Sequence, residues 1–237
     1  MKSILHICIY YGILLAMDKS CRPLTERAIR DALVVRLCNN AKRDQVLIEE
    51  LGVGSARVDL ALAADRLEGF EIKSDFDTLD RLARQMHAYH SVFDTLTIVT
   101  TSSYANQVEA LLPSWWGIWL ADEDDVGRVR LHVLRPATPH GRQDAGSMAA
   151  LLWREEAYAF VTDVLGLVVR PRATRGDLQE LIADRIPIDR IRERILDVLR
   201  SREVLRSRSH ASGQDLAGRE DDMVTGCVAT PRRQVAG

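Results

Sequence analysis

The spacing of hydrophobic residues predicts an alternation of helices and strands between residues 24 and 134. Ile29, Leu33 and Leu37 recur at helical spacing after Pro23, which predicts a first helix. Strands are expected at 46–51, 57–63, 69–74, 95–100, 115–120 and 128–134, and two further helices at 78–93 and 104–112. This order favours an α/β fold in which helices flank a mixed β-sheet.

The second and third strands are close enough in sequence to form an antiparallel hairpin. If the turn is centred on Asp65, Asp59 lies opposite Glu71 and on the same face of the sheet. Cross-strand neighbours lie about 4.5–5.5 Å apart. The two carboxylates are therefore expected to be near enough to hold one ion.

The composition changes after Pro139. A polar segment at 140–147 is expected to precede a helical C-terminal region, and the periodicity ends near residue 207. Residues 170–208 contain 11 arginines against 7 acids. Arginines that alternate with acids at helical spacing are typical of salt-bridged faces, although they could also follow a phosphate backbone. The helices are expected at 148–165, 176–186 and 188–203, and the arginines concerned are Arg190, Arg192, Arg194 and Arg200.

Composition narrows the class of protein. The chain has 237 residues, of which 46% are hydrophobic and 28% charged, and its net charge is −2. These values suit a globular domain with an appendage, and they argue against a disordered or histone-like basic protein. The four cysteines are far apart and form no C-x-x-C pair. This argues against a disulfide scaffold or a zinc ribbon and favours a reducing, cytoplasmic compartment.

The N-terminal segment is expected to stand apart from the functional domain. Residues 3–17 are apolar, but they are fewer than the roughly 20 that a membrane span needs. Lys2 followed by an apolar run is typical of a signal peptide, yet no cleavage site follows. A start at Met17, a packed helix and an export or anchoring signal all stay open, and a membrane partner is not expected. The expected divisions are 1–17, 18–139, 148–206 and a disordered tail at 207–237.

One set of residues has the spacing of a nuclease site. Asp59 is followed by Glu71-Ile72-Lys73 and then by a Gln85-x-x-x-Tyr89 pair. The first part resembles the D-x(n)-E-x-K signature of the PD-(D/E)XK nuclease superfamily. The second part resembles a further motif of its RecB-like and exonuclease-like branches.

The resemblance extends from Leu24 to Trp119, with weaker similarity in the helical part. The stretch from Gly69 to Asp94 looks like a family of small uncharacterised bacterial proteins within that superfamily. One departure is that Val58 stands where the proline of the signature would be.

The resemblance implies a restriction-endonuclease-like sheet and metal-dependent hydrolysis of DNA. Asp59 and Glu71 would bind Mg²⁺ or Mn²⁺ together with the main-chain carbonyl of Ile72. Such an ion lowers the pKa of bound water and polarises the phosphate. Lys73 would orient or deprotonate the water, or stabilise charge in the transition state.

Three further residues have supporting roles in this interpretation. Gln85 and Tyr89 would hydrogen-bond the site or the nucleic acid backbone. Glu26 would act as an acid behind the metal ligands or bind a second ion, although a solvated acid favoured by the helix dipole is the simpler interpretation. Tyr89 lies on an apolar stripe, so a plain core role is an equal alternative.

Other polar and aromatic residues near this set favour structural roles. Glu49 and Glu50 are rival acids that are expected to be superficial or structural, and His87 and His90 are expected at the surface. Asp77 is expected to cap a helix, although Asp75, Asp77 and Asp80 also suggest a metal cluster. The tryptophans of the fifth strand could stack on bases, but core packing is favoured for Trp115, Trp116 and Trp119.

The sequence therefore predicts a Mg²⁺- or Mn²⁺-dependent deoxyribonuclease. The alternative is a catalytically inactive module that keeps the fold and binds nucleic acid or a protein. The expected partner is nucleic acid, with DNA favoured over RNA, and a partner protein or a homodimer is left open. No Walker A motif is present, so ATP-driven movement along DNA would need another protein.

Overall fold

The computed structural model describes residues 22–40, 44–170 and 172–213, with side chains described as far as Arg202. These residues form a six-stranded sheet in the order β1-β2-β3-β4-β5-β6. Strands β3, β4 and β5 run parallel, and the other neighbouring pairs are antiparallel. The strands are β1 Val46–Val53, β2 Ala56–Ala63, β3 Leu67–Lys73, β4 Thr95–Thr101, β5 Gly117–Glu123 and β6 Val129–Arg135.

Helices flank this sheet and continue after it. The first three are α1 Glu26–Asn39, α2 Leu82–His90 and α3 Ala105–Leu111, and the C-terminal ones are α4 Ala145–Ala149, α5 Arg154–Leu165, α6 Arg175–Arg185 and α7 Ile188–Gly213. The order of helices and strands up to β6 is the predicted one. The α/β class, with a mixed sheet flanked by helices and a helical C-terminal extension, is confirmed.

Each face of the sheet buries its own apolar cluster. On one face, α1 packs through Ile29, Leu33 and Leu37 against Phe70 and Ile72 of β3. The larger cluster contains α2, the C-terminal helices and the alternate strand residues, including Leu67 and Ile98. The alternation along β3 also directs Glu71 and Lys73 toward the α2 face.

The C-terminal helices dock on the sheet domain through ion pairs as well as apolar contacts. Asp94 accepts from the amide of Leu67 at 2.8 Å and from Gln143 at 3.0 Å, and its Oδ1 lies 3.1 Å from Nε of Arg192. Each of the four arginines singled out in the sequence pairs with an acid. The pairs are Arg190 with Glu193, Arg192 with Asp94 and Asp189, Arg194 with Asp163, and Arg200 with Asp197. The salt-bridged interpretation of these arginines therefore describes their contacts.

Several element boundaries differ from the prediction. α2 begins at Leu82 rather than Thr78, because Asp77 accepts from the amide and hydroxyl of Ser74 and closes a turn after β3. The helix expected at 148–165 is two helices, because the extended backbone of Trp153 starts a new one. α7 continues to Gly213, past the expected start of the tail at residue 207. The rest of that tail and the segment 1–17 lie outside the described residues.

Val58 is also placed differently. The alternation predicts that it shares a face with Leu60, yet Val58 lies in the larger cluster and Leu60 in the smaller one. The change coincides with an interruption of the β1–β2 pairing at Glu50, whose φ is +57°. A non-glycine residue in this left-handed region locally redirects the strand.

Two further findings concern the helices. Within the described residues, no helix is long and apolar enough to cross a membrane. Cys38, near the end of α1, is disulfide-bonded, a bond that the cysteine spacing did not predict. The other three cysteines lie outside the described residues.

We predict that Asp94→Ala lowers the free energy of unfolding by about 2–4 kcal/mol, because it leaves the buried amide of Leu67 without its acceptor and removes one of the two carboxylates paired with Arg192. Asp163→Ala is the matched control, since its pair with Arg194 is 3.7 Å long and 65% of the Asp163 side chain is exposed. The control should change stability by under about 1 kcal/mol. Urea unfolding measures both, and equal effects would contradict this account of the docking.

Candidate active site

The site begins where β2 and β3 separate. Their backbone pairing extends from the turn as far as Leu60 and Phe70. The next residues in that register are Asp59 and Glu71, as a turn centred on Asp65 predicts. In place of a backbone acceptor, Oδ2 of Asp59 accepts from the amide of Ile72 at 2.7 Å. This bond fixes the Asp59 carboxylate beside the strand that carries Glu71.

Glu71 is the buried centre of the site, with 2% of the residue exposed. Its Oε1 accepts from Nζ of Lys73 at 2.8 Å, and its Oε2 accepts from the hydroxyl of Tyr89 at 2.9 Å. The side chain of Lys73 is only 12% exposed. The E-x-K pair is therefore a buried, hydrogen-bonded ion pair rather than a solvated face.

Tyr89 belongs to both the core and the site. Its ring is fully buried against Phe93, while its hydroxyl also lies 2.6 Å from the carbonyl of Arg57 and 3.3 Å from Nε2 of Gln85. Burial and the charge of Glu71 raise the pKa of Tyr89 above its ordinary value of 10.0, so the hydroxyl keeps its proton. One hydrogen thus faces two acceptors, the Arg57 carbonyl and Glu71.

The side-chain amide of Gln85 is only partly hydrogen-bonded among the described residues. Its Nε2 donates to Tyr89, but its Oε1 is buried and has no hydrogen-bond partner among the described residues. A buried acceptor without a donor is unfavourable by about 1–3 kcal/mol. Such an atom in the same cluster as Glu71 is suited to receive a hydrogen from a bound water or ligand.

Arg30 brings a second set of acids to the site from α1. Its Nη2 lies 2.6 Å from Glu26, 2.8 Å from Asp59 and 3.3 Å from Glu50. Its Nη1 donates to the main-chain carbonyl of Asp59 at 3.1 Å. Glu26, a predicted site residue, is therefore linked to Asp59 through a shared arginine.

The charges around Asp59 are incompletely balanced. Burial, followed by the negative charge of Glu71, raises the pKa of Asp59 from 3.8 to about 7. The hydrogen bond from Ile72 and the charge of Arg30 act in the opposite direction. Ionising Asp59 next to a second carboxylate is therefore unfavourable, and a divalent cation bound between the two would offset this cost.

The donor set fits Mg²⁺ or Mn²⁺ in its chemistry. Both ions prefer oxygen ligands and commonly use one or two carboxylates, with water completing the shell. Among the described residues, no group of three or more His, Cys, Asp or Glu side chains is arranged to hold a metal. A metal here would therefore depend on Asp59 and Glu71, with the Ile72 carbonyl and water as further ligands.

The structure brings the predicted residues together and adds others. Asp59, Glu71, Lys73, Gln85 and Tyr89 form one connected cluster, and Glu26 joins it at the edge. Arg30 and Glu50 were missed as site residues. The spacing of Glu26 and Arg30, four residues apart on a helix, was an available signal for the first. No sequence signal indicated the left-handed backbone of Glu50.

The aromatic residues near β5 have structural contacts. Trp116 is fully buried and Trp119 packs edge-on against Phe70, as core packing predicts. His90 is not superficial, because its Nε2 accepts from Nε1 of Trp116 at 2.9 Å. Burial, together with the charge of His140, lowers the pKa of His90 to about 4.

Asp75 and Asp77, the first acids after β3, accept hydrogen bonds that hold a loop in place. Asp75 accepts from the hydroxyls of Thr101 and Ser103 and from the amide of Leu24. Asp77 closes the turn at Ser74 instead of capping α2. Both carboxylates therefore have hydrogen-bond donors and hold the loop that follows Lys73.

Comparison with known proteins assigns the family. The sequence profile described as bacteriophage P4 protein cII matches residues 20–220. This chain belongs to the bacteriophage P4 cII family. Protein cII of Enterobacteria phage P4 is 27% identical over 199 residues, which is 83% of this chain and 72% of that protein.

One solved structure is also similar to this cII-family chain. It is the SPO1766 protein of unknown function from Silicibacter pomeroyi, with 16% sequence identity and a TM-score of 0.39. The match covers 64% of this chain and 99% of that protein.

We predict that Asp59 makes the metal-free protein less stable as the pH rises from about 4 to about 7. The folded state retains the Asp59 proton up to about pH 7, whereas the unfolded state loses it near pH 4, so deprotonation favours unfolding across this window. Asp59→Asn removes the effect, which amounts to about 1.4 kcal/mol for each unit of pKa difference.

Urea unfolding in EDTA at pH 4.5 to 8 measures this slope. Asp31→Asn is the control, because Asp31 lies on α1 with 64% of its side chain exposed. The control should keep the wild-type slope, and Asp59→Asn should flatten it. An unchanged slope in Asp59→Asn would contradict the buried carboxylate pair.

Proposed function

We propose that this chain is a metal-dependent nuclease that hydrolyses the phosphodiester bonds of DNA with Mg²⁺ or Mn²⁺. The observation that carries the proposal is the arrangement of Asp59, Glu71 and Lys73. The Asp59 carboxylate is held on the amide of Ile72, the residue after Glu71, and the buried Lys73 is hydrogen-bonded to Glu71. The choice of DNA follows from the resemblance to the PD-(D/E)XK superfamily.

The chain's own groups divide the work in this proposal. Asp59 and Glu71 would hold the ion, with the Ile72 carbonyl as a third ligand. When bound, the ion would supply a Lewis acid and lower the pKa of water. Lys73 would hold the attacking water or offset the negative charge that develops on the phosphate.

Tyr89 and Gln85 would support these groups from α2. The Tyr89 hydroxyl keeps its proton and holds Glu71 in one orientation. The Oε1 of Gln85, which has no partner among the described residues, would accept a hydrogen from water ordered beside Glu71. Both roles are those of positioning residues, since neither side chain needs to touch the scissile bond.

A second candidate is the inactive module with the same fold. Its supporting observation is that cationic groups already contact both carboxylates. Arg30 contacts Oδ1 of Asp59 and Lys73 contacts Oε1 of Glu71. In an inactive descendant, such pairs would serve only to hold the sheet together, and the chain would act by binding alone.

The decisive experiment incubates the full chain with linear and circular, single- and double-stranded DNA, in Mg²⁺, Mn²⁺ or EDTA. We predict cleavage in either metal and none in EDTA. Lys73→Met should lower the cleavage rate by at least about 100-fold, the typical loss when one transition-state donor is removed. Arg66→Met, at an exposed position in the β2–β3 turn, is the matched control and should cleave normally.

The outcomes separate the two functions. Cleavage that depends on both metal and Lys73 supports the nuclease. Absence of cleavage by a folded chain, together with salt-sensitive DNA binding that persists in EDTA, would favour the inactive module. The circular substrates distinguish internal cleavage from cleavage at ends.

A further inference from the structure

Arg30 occupies a position that is unusual for a structural arginine. One of its nitrogens, Nη2, is within 3.3 Å of carboxylate oxygens from Glu26, Glu50 and Asp59. That nitrogen has two hydrogens, so it cannot donate fully to three acids. Three carboxylates around one positive centre resemble the surroundings of a bound cation more than those of an ordinary ion pair.

The Arg30 side chain is held in place by burial and by hydrogen bonds. Only 16% of its side chain is exposed, and a second nitrogen holds the main-chain carbonyl of Asp59. The backbone of Glu50 itself has a φ of +57°, a conformation that is uncommon for a non-glycine residue. Such local strain persists only where surrounding contacts maintain it.

The net charge of the site is matched by one divalent ion. Four acids and three bases meet here, so the fully ionised cluster has a net charge of −1. One divalent ion would change this to +1, which a phosphodiester would neutralise. Two ions would raise the net charge of the cluster to +3, a larger excess than one phosphodiester neutralises. The groups counted are Glu26, Glu50, Asp59 and Glu71 against Arg30, Arg57 and Lys73.

We propose that Arg30 takes the place of a second cation, so that the site binds a single divalent ion between Asp59 and Glu71. This inference rests on the proposed metal-dependent function. It assigns Glu26 and Glu50 to Arg30 rather than to a second ion. Arg30 is a positioning residue that acts through Asp59, because it holds both the backbone and the side chain of that ligand.

The test counts Mn²⁺ ions bound per chain. Chelator-treated full-length protein is titrated with Mn²⁺, and free Mn²⁺ is followed by electron paramagnetic resonance. The wild-type chain should bind one ion, and Asp59→Asn should weaken that binding at least 10-fold. Arg30→Ala should bind a second ion, because it leaves three acids around a vacated space.

Two control variants make this result specific to the charge at residue 30. Arg30→Lys retains a cation and should stay at one ion. Arg27→Ala removes an arginine from the same helix, one that is 91% exposed and 3.9 Å from Asp31, and should also stay at one. If Arg30→Ala does not fold, Arg30→Gln serves as the uncharged variant.

The outcomes distinguish this inference from the proposed function. No bound ion in the wild-type chain would defeat the metal-dependent nuclease itself. Two ions in the wild-type chain would leave the nuclease standing and overturn the role of Arg30. A folded Arg30→Ala or Arg30→Gln variant that still binds only one ion would overturn it as well.

Discussion

The hydrogen bond from the Ile72 amide to the Asp59 carboxylate is the contact on which the site depends. It forms where the backbone pairing of β2 and β3 ends, and a side chain thereby replaces a main-chain acceptor. Because the amide is otherwise unsatisfied, Asp59 is held against β3 although burial beside Glu71 disfavours its charge. The sheet therefore keeps Asp59 close enough to Glu71 for the two negative charges to repel each other.

The groups around this pair compensate its charge from both faces of the sheet. Arg30 reaches Asp59 from α1, and Lys73 binds Glu71 within β3 itself. Tyr89 approaches Glu71 from α2, with its ring anchored in the larger core cluster. A site that depends on contacts from three elements requires the whole sheet domain, since loss of α1 removes Arg30 from Asp59 and loss of α2 removes Tyr89 from Glu71.

The sequence contained enough information for the central pair but not for its surroundings. A turn centred on Asp65 gives the register that places Asp59 opposite Glu71, although the two-residue period of β2 breaks at Asp59 itself. The contacts of Arg30 depend on how α1 crosses the sheet, and those of Glu50 on a left-handed backbone that glutamate rarely adopts. The partial burial of His90 depends on Trp116, which lies 26 residues further along the chain and directly before β5.

The most direct test of this account is the location of a bound ion. Crystals of the protein soaked in Mn²⁺ would give an anomalous difference map that identifies the ion and its ligands. The account predicts one peak within about 2.3 Å of carboxylate oxygens from both Asp59 and Glu71, with Arg30 still against Glu26. A map without a peak there, or with a peak held by Glu26 and Glu50 instead, would contradict it.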